Sequence, residues 1–313
     1  MKQLIEYTRQ RFLRETSKVH VALYSGSRGE EGFITLFFFS ENGPVLAAKV
    51  ARTKRSLERL EHEYVSLRQV TRLLQGSPLE TTIEAPLDFV EFGGLFILFK
   101  EYKDGIPATQ YLRRGLSSRR SRGERFLCSS VDWLIGFTKH TQEVHTDSAD
   151  AKGSAINALF CGQALTDYAK LFVNDSTFFL APTHGELLPA NILLDKGSRR
   201  VTSVVDFENF SMAGLPIADL IGLIMGTGVS LFGCNETTLD KRLLQDGWFL
   251  NLCCDCIRKF CSAFSIDMEA FKEVMPLYSD RALYLCRKWN MKGQLLEFHQ
   301  RFRRTLMEKM IKL

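Results

Sequence analysis

One stretch of the chain concentrates the residue types that do chemistry. Thr183-His184-Gly185-Glu186-Leu187-Leu188-Pro189-Ala190-Asn191-Ile192-Leu193-Leu194 carries an imidazole, a carboxylate and an amide within eight residues. Lys196-Gly197-Ser198 reads as a hairpin turn, Val201 to Val205 as a returning strand, and Asp206-Phe207-Glu208 as its acidic end. Such a hairpin brings Asn191 and Asp206 to one mouth, where a carboxylate and an amide oxygen suit a hard cation such as Mg2+. Gly214-Leu215-Pro216-Ile217-Ala218-Asp219-Leu220 then opens a helix. Asp219 falls in its first turn, where exposed N–H groups favour an acid.

Something must position these groups. Residues 1–18 read as a short, charged helix. His20–Tyr24, Phe33–Phe39 and Val45–Ala51 are rich in Phe, Val, Ile and Thr, and Glu41-Asn42-Gly43-Pro44 supplies a turn, so three antiparallel strands are expected. Leu57, Leu60, Tyr64, Leu67 and Val70 recur at steps of three and four, the stripe of a helix. Leu87–Phe92 and Leu95–Tyr102 form a strand pair split by Gly93-Gly94, and Lys103-Asp104-Gly105-Ile106-Pro107 breaks the pattern as a hinge. Residues 126–145 and 155–173 read as helical, 181–210 as loop, strand, turn and strand, and 217 onward as helical again, closing on a basic segment.

The chain has 313 residues, enough for two domains or one with two lobes. Hydrophobic residues make up 45% and charged residues 25%, which excludes a disordered, collagen-like or disulfide-scaffold protein. The net charge of +5 (41 − 36) permits anionic ligands without demanding nucleic acid, and no specific nucleic-acid binding is expected. The apolar run Leu220–Cys234 is shorter than the ~20 residues of a bilayer span. MKQLIEYTRQRF has no signal-peptide core. A cytoplasmic location with reduced thiols is therefore expected. The eight cysteines hold no paired CxxC…CxxC zinc pattern, and Cys253, Cys254, Cys256 and Cys261 read as buried thiols acting as small hydrophobes. Arg113 to Arg125 holds six arginines in thirteen residues: a mobile solvated loop, or a patch for an anionic partner such as a phospholipid surface or a phosphorylated acceptor.

The motif pieces resemble the aminoglycoside phosphotransferase and choline kinase-like family. That family shows HGDxxxxNIL, then a strand ending in DFE or DWE, then GxPxxDLA. Here His184-Gly185-Glu186…Asn191-Ile192-Leu193, Asp206-Phe207-Glu208 and Gly214-Leu215-Pro216…Asp219-Leu220 follow in the same order. The resemblance covers roughly residues 20–225. It implies an α+β, bilobal protein-kinase-like fold. A small β-rich N-lobe would span 1–102 and a larger, mainly helical C-lobe 103–313, with ATP and Mg2+ in the cleft between them.

The resemblance also implies roles. Lys49 matches the lysine that contacts the α- and β-phosphates. Glu63 would orient it, with Glu61 as the alternative. The loop 25–32, with Ser27 and Gly29, takes the place of the phosphate-covering loop, though it is not GxGxxG and also reads as a plain turn. Glu101 and Tyr102 fall in the hinge that would pair with adenine. Asn191 and Asp206 would hold magnesium, and Glu208 either binds a second metal or holds the loop. His184 stands at the catalytic loop as a bracing or catalytic residue, while His140 and His145 read as structural or surface residues.

The chain departs from the pattern at one place: Glu186 stands where the family has Asp, the acid that accepts or orients the acceptor's proton. The extra methylene moves the carboxylate by about a bond length, and a misplacement of ~1 Å can cost on the order of 10²-fold in rate. The expected activity is ATP- and Mg-dependent transfer of the γ-phosphoryl group to a small-molecule hydroxyl. Asp206 and Gly214-Leu215-Pro216 stand too close together for a long peptide-docking loop. Sugar, aminoglycoside, amino alcohol and nucleoside-like acceptors stay open. The alternatives are a nucleotide-binding pseudokinase and transfer of a nucleotidyl group.

Overall fold

In the computed structural model, residues 2–13, 18–25, 32–115, 118–143, 180–234, 239, 247–268 and 271 are described. The chain divides into two compact units. One comprises Met1–Asp104 with Ser203–Asn209, the other Gly105–Thr202 with Phe210–Leu313. The division by sequence at residue 103 puts Ser203–Asn209 in the C-lobe, whereas this segment packs with the first unit. The fold is α+β.

The first unit is an antiparallel sheet flanked by helices. Its strands are β1 (His20–Ser25), β2 (Ile34–Ser40), β3 (Gly43–Val50), β4 (Pro86–Phe92) and β5 (Leu95–Glu101), in the order β1-β2-β3-β5-β4. Two of its hairpins turn on glycines in the left-handed region, Gly43 after β2 and Gly93-Gly94 between β4 and β5. Helix α1 (Lys2–Phe12) brings Leu4, Tyr7 and Phe12 onto a core of Leu36, Phe38, Leu46, Ala48, Val50, Ile97 and Phe99. Burying each such large side chain contributes about 1.5–3 kcal/mol. Since Leu46, Ala48 and Val50 face this core, alternation along β3 turns Lys49 to the opposite face.

Helix α2 (Lys54–Leu73) starts at a capping box in which Thr53 Oγ1 accepts from Ser56 N–H and Ser56 Oγ accepts from Thr53 N–H. It buries Leu60, Glu63, Leu67 and Val70, one face at steps of three and four. The 3-10 turn Phe207–Asn209 packs against this helix, and Val204 forms a parallel bridge with Ile83.

In the second unit β6 (Ile106–Pro107) pairs antiparallel with β8 (Ile192–Leu194), and β7 (Ala181–Thr183) with β10 (Ser211–Gly214); the division between the units falls within β9 (Val201–Val204). Helix α3 (Ala108–Arg113) is short. Helices α4 (Arg119–Glu143), α5 (Pro216–Phe232) and α6 (Gly247–Ala263) pack on one another. The thiols of Cys253, Cys254, Cys256 and Cys261 are buried in α6. Burial pushes those of Cys256 and Cys261 up to about 12. None of the described helices is long and apolar enough to cross a membrane.

The arginine-rich segment corrects the expectation of a mobile loop. From Arg119 it is the first part of α4. Gly123 lets the helix run close to Leu231 and Trp248; a Cβ there would lie 2.8 Å from Leu231 Cδ1. Arg119 lies over the Phe232 ring, Arg120 pairs with Glu124 at 2.7 Å, and Arg122 is buried, donating to Ser118 Oγ and the Gly115 carbonyl. His140 lies in the last turn of α4. His145, the helix expected over 155–173 and the basic C-terminal segment lie outside the described residues.

Candidate active site

The first unit gathers a buried ionic network around Lys49. Its Nζ donates to both Glu63 carboxylate oxygens, at 2.9 and 2.8 Å, and to Asp206 Oδ1 at 2.6 Å. Glu63 is fully buried, and Asp206 is the partner that keeps about a third of its side chain exposed. Glu61 is exposed, so the helix face selects Glu63. Burial alone would push the Lys49 ammonium down. The carboxylates outweigh it, Asp206 first, then Glu63, Glu208 and Glu84, and the group is held above its ordinary value.

Three further charged residues complete this network, and sequence reasoning assigned them no role. Arg59, one turn before Glu63 on α2, donates to both oxygens of Glu208, at 2.7 and 2.6 Å. This fork ties the Asp206-Phe207-Glu208 segment to α2, with Phe207 fully buried. Lys100 Nζ donates to Glu63 Oε1 at 2.8 Å and Glu84 Oε1 at 2.6 Å. Glu84 Oε1 also accepts the Asp206 backbone N–H at 3.1 Å. Asp206 is held at a φ of 71°, a left-handed conformation that Asp tolerates better than most residues.

The carboxylates of Glu63, Asp206 and Glu208 offer oxygens within 4.8 Å of one another. Hard oxygen donors of this kind fit a divalent cation such as Mg2+. Lys49, Lys100 and Arg59 pair with Glu63, Glu84, Asp206 and Glu208. Glu208 is nearly buried and engaged by Arg59, and Asp206 is the most exposed of the three.

The second unit builds the loop that carries His184, Glu186 and Asn191. Asp219, near the start of α5, braces it: Oδ2 accepts from His184 N–H at 2.8 Å and Oδ1 from Gly185 N–H at 2.9 Å. Asp219 lies in the first turn of its helix as expected, and it also reaches 34 and 35 residues back along the chain. Gly185 takes a φ of 84° to make the turn. His184 is fully buried, and its Nδ1 accepts from Glu186 N–H at 3.3 Å, so the ring closes the loop on itself. Asn191 Nδ2 donates to the Glu186 carbonyl at 2.9 Å, which leaves Oδ1 as the acceptor atom of that amide. Helix α5 presses on the loop from behind, where a Cβ on Gly226 would lie 2.6 Å from Pro189 Cδ. The 196–198 turn closes as expected, with Asp195 Oδ1 accepting from Gly197 N–H, Ser198 N–H and Ser198 Oγ.

Among the remaining expected site residues, Ser27 and Gly29 lie outside the described residues. Glu101 pairs with Lys103 at 2.8 Å, and its N–H donates to the Ala85 carbonyl. Tyr102 packs edge-on to Phe37 with ring centroids 6.2 Å apart. The structure thus brings Lys49, Glu63, Asp206 and Glu208 together in the first unit, and His184, Glu186 and Asn191 together in the second.

No protein-family model and no curated protein matches the chain. Among solved structures it is similar to an aminoglycoside phosphotransferase of Streptomyces rimosus. The identity is 15%, with 91% of this chain and 92% of that chain covered, at a TM-score of 0.48. The same enzyme in complex with ADP and streptomycin aligns over 98% of both chains, again at 15% identity and with a TM-score of 0.47. A macrolide 2'-phosphotransferase of Brachybacterium faecium aligns over 96% of both chains, at 15% identity and a TM-score of 0.44.

Proposed function

We propose that the chain is an ATP- and Mg-dependent phosphotransferase that transfers the γ-phosphoryl group to a hydroxyl of a small molecule. The observation that carries this reading is the position of Lys49 Nζ, held by Glu63 of α2 and by Asp206 at once. A strand lysine paired to a helix glutamate, beside an aspartate able to hold Mg2+, is the arrangement on which kinase-type phosphoryl transfer depends.

In this reading Lys49 holds the α- and β-phosphates and Glu63 orients it. Asn191 and Asp206 would hold a Mg2+ ion, which would supply charge neutralisation, and Arg59 holds Glu208. Glu101 and Tyr102 would meet the base. Glu186 takes the acceptor hydroxyl's proton as that oxygen bonds to the γ-phosphorus and the bond to ADP breaks. His184 and Asp219 hold the loop that presents Glu186. Positioning and charge neutralisation do most of the catalysis in such a site.

A second reading rests on one residue. Glu186 in the place of Asp also suits a nucleotide-binding pseudokinase that regulates a partner. The test is a thermal-shift titration with MgATP, followed by incubation with sugars, amino alcohols, aminoglycosides and nucleosides and mass-spectrometric detection of phosphorylated product. A shift with a phosphorylated product supports the phosphotransferase. A shift without product across the panel favours the pseudokinase. No shift at any MgATP concentration contradicts both.

A further inference from the structure

We infer that Lys100 is a positioning residue that sets the phosphate-binding lysine and the metal-binding aspartate together. The inference rests on the phosphotransferase reading above and deepens it. In the sheet register Lys100 on β5 stands opposite Ala47 on β3, and Lys49 opposite Leu98. Both lysines therefore rise from the same face of adjacent strands. The small side chain of Ala47 leaves room for Lys100, whose side chain is only 4% exposed.

A lysine so deeply buried is retained only with partners that replace water. Lys100 has two, and each is shared with a residue of the site. Glu63 Oε1 accepts from Lys100 at 2.8 Å and from Lys49 at 2.9 Å. Glu84 Oε1 accepts from Lys100 at 2.6 Å and from the Asp206 N–H at 3.1 Å. One ammonium thus fixes the carboxylate that aims Lys49 and the carboxylate that pins the left-handed backbone of Asp206. Lys100 needs no contact with nucleotide to govern where both groups sit. Partners that orient ligands in this way typically control affinity or activity by about 10–100-fold.

The test compares wild type with Lys100→Met, Lys100→Arg and Glu84→Gln, measuring MgATP affinity by calorimetry, the Mg2+ concentration for half-maximal binding, and the melting temperature. Lys100→Met is expected to weaken MgATP binding by about 10–100-fold and to raise the Mg2+ requirement. Lys100→Arg, which can reach both carboxylates, recovers most of that loss. Should Lys100→Met fail to fold, Glu84→Gln carries the test. It keeps the shape and an acceptor oxygen, leaves the Lys49–Glu63 pair intact, and is expected to raise the Mg2+ requirement. Folded Lys100→Met or Glu84→Gln that melts earlier yet binds MgATP with wild-type affinity and Mg2+ dependence reduces Lys100 to a structural role and overturns the inference. Wild type that fails to bind MgATP removes the phosphotransferase reading and the inference with it.

Discussion

Replacing Asp219 by alanine removes the two acceptors that hold His184 N–H and Gly185 N–H, at 2.8 and 2.9 Å. His184 and Asp219 are both buried, so water cannot replace these bonds without rearrangement. A hydrogen bond to a charged group contributes about 1.5–3 kcal/mol, which makes the pair about 3–6 kcal/mol. Partial relaxation brings the expected loss for Asp219→Ala to about 3 kcal/mol. Asp219→Asn keeps one carbonyl acceptor and turns an NH2 group toward the other N–H, so it should cost roughly half as much. Urea unfolding followed by fluorescence reads both as shifts in midpoint at unchanged slope. Because the same loop carries Glu186 and Asn191, turnover by the folded variant should fall on the order of 10²-fold. Asp219→Ala within about 0.5 kcal/mol of wild type, the range of an ordinary surface substitution, would refute the bracing argument.

Other outcomes follow from the same geometry. A Cβ on Gly214 would lie 2.0 Å from Thr183 Oγ1, so Gly214→Ala should cost about 1–3 kcal/mol by overpacking. Thr183→Ala in that background should recover part of the loss, as read by thermal melting. Lys49 is held above its ordinary value, so the stability it contributes is fully present below the unfolded value of about 10.4 and is lost only as pH rises beyond it. The stability difference between wild type and Lys49→Met should therefore stay constant from about pH 7 to about pH 9.5, and a difference that shrinks across that window contradicts the assignment. Cys128 is exposed, whereas burial holds Cys253, Cys256 and Cys261 as protonated thiols. Iodoacetamide at mildly alkaline pH should label Cys128 and spare those three until the chain is unfolded, as located by peptide mass mapping.

The parts of the site that were legible in the sequence are those with a local signal. Lys49 and Glu63 came from the resemblance of the motif pieces, and the structure pairs them at 2.9 and 2.8 Å. The turns at Gly43, Gly93-Gly94 and 196–198 announced themselves by composition. Lys100–Glu84, Arg59–Glu208 and the reach of Asp219 to His184 and Gly185 left no such trace. They join residues 16 to 149 positions apart, and a charged residue read alone looks like solvated surface. The arginine-rich segment read as a solvated loop from its charge, yet from Arg119 it is helix α4, and at Gly123 that helix runs close to Leu231 and Trp248.

We propose phosphoryl transfer that depends on Lys49, Glu63 and Asp206, with Glu186 as the proton acceptor. The direct measurement is Mg2+-dependent ADP formation by wild type, Asp206→Ala and Glu186→Gln, each first shown to be folded. The account predicts wild-type turnover that requires Mg2+, is abolished in Asp206→Ala, and falls by about 10²- to 10⁴-fold in Glu186→Gln. Turnover in Asp206→Ala equal to that of wild type would contradict it.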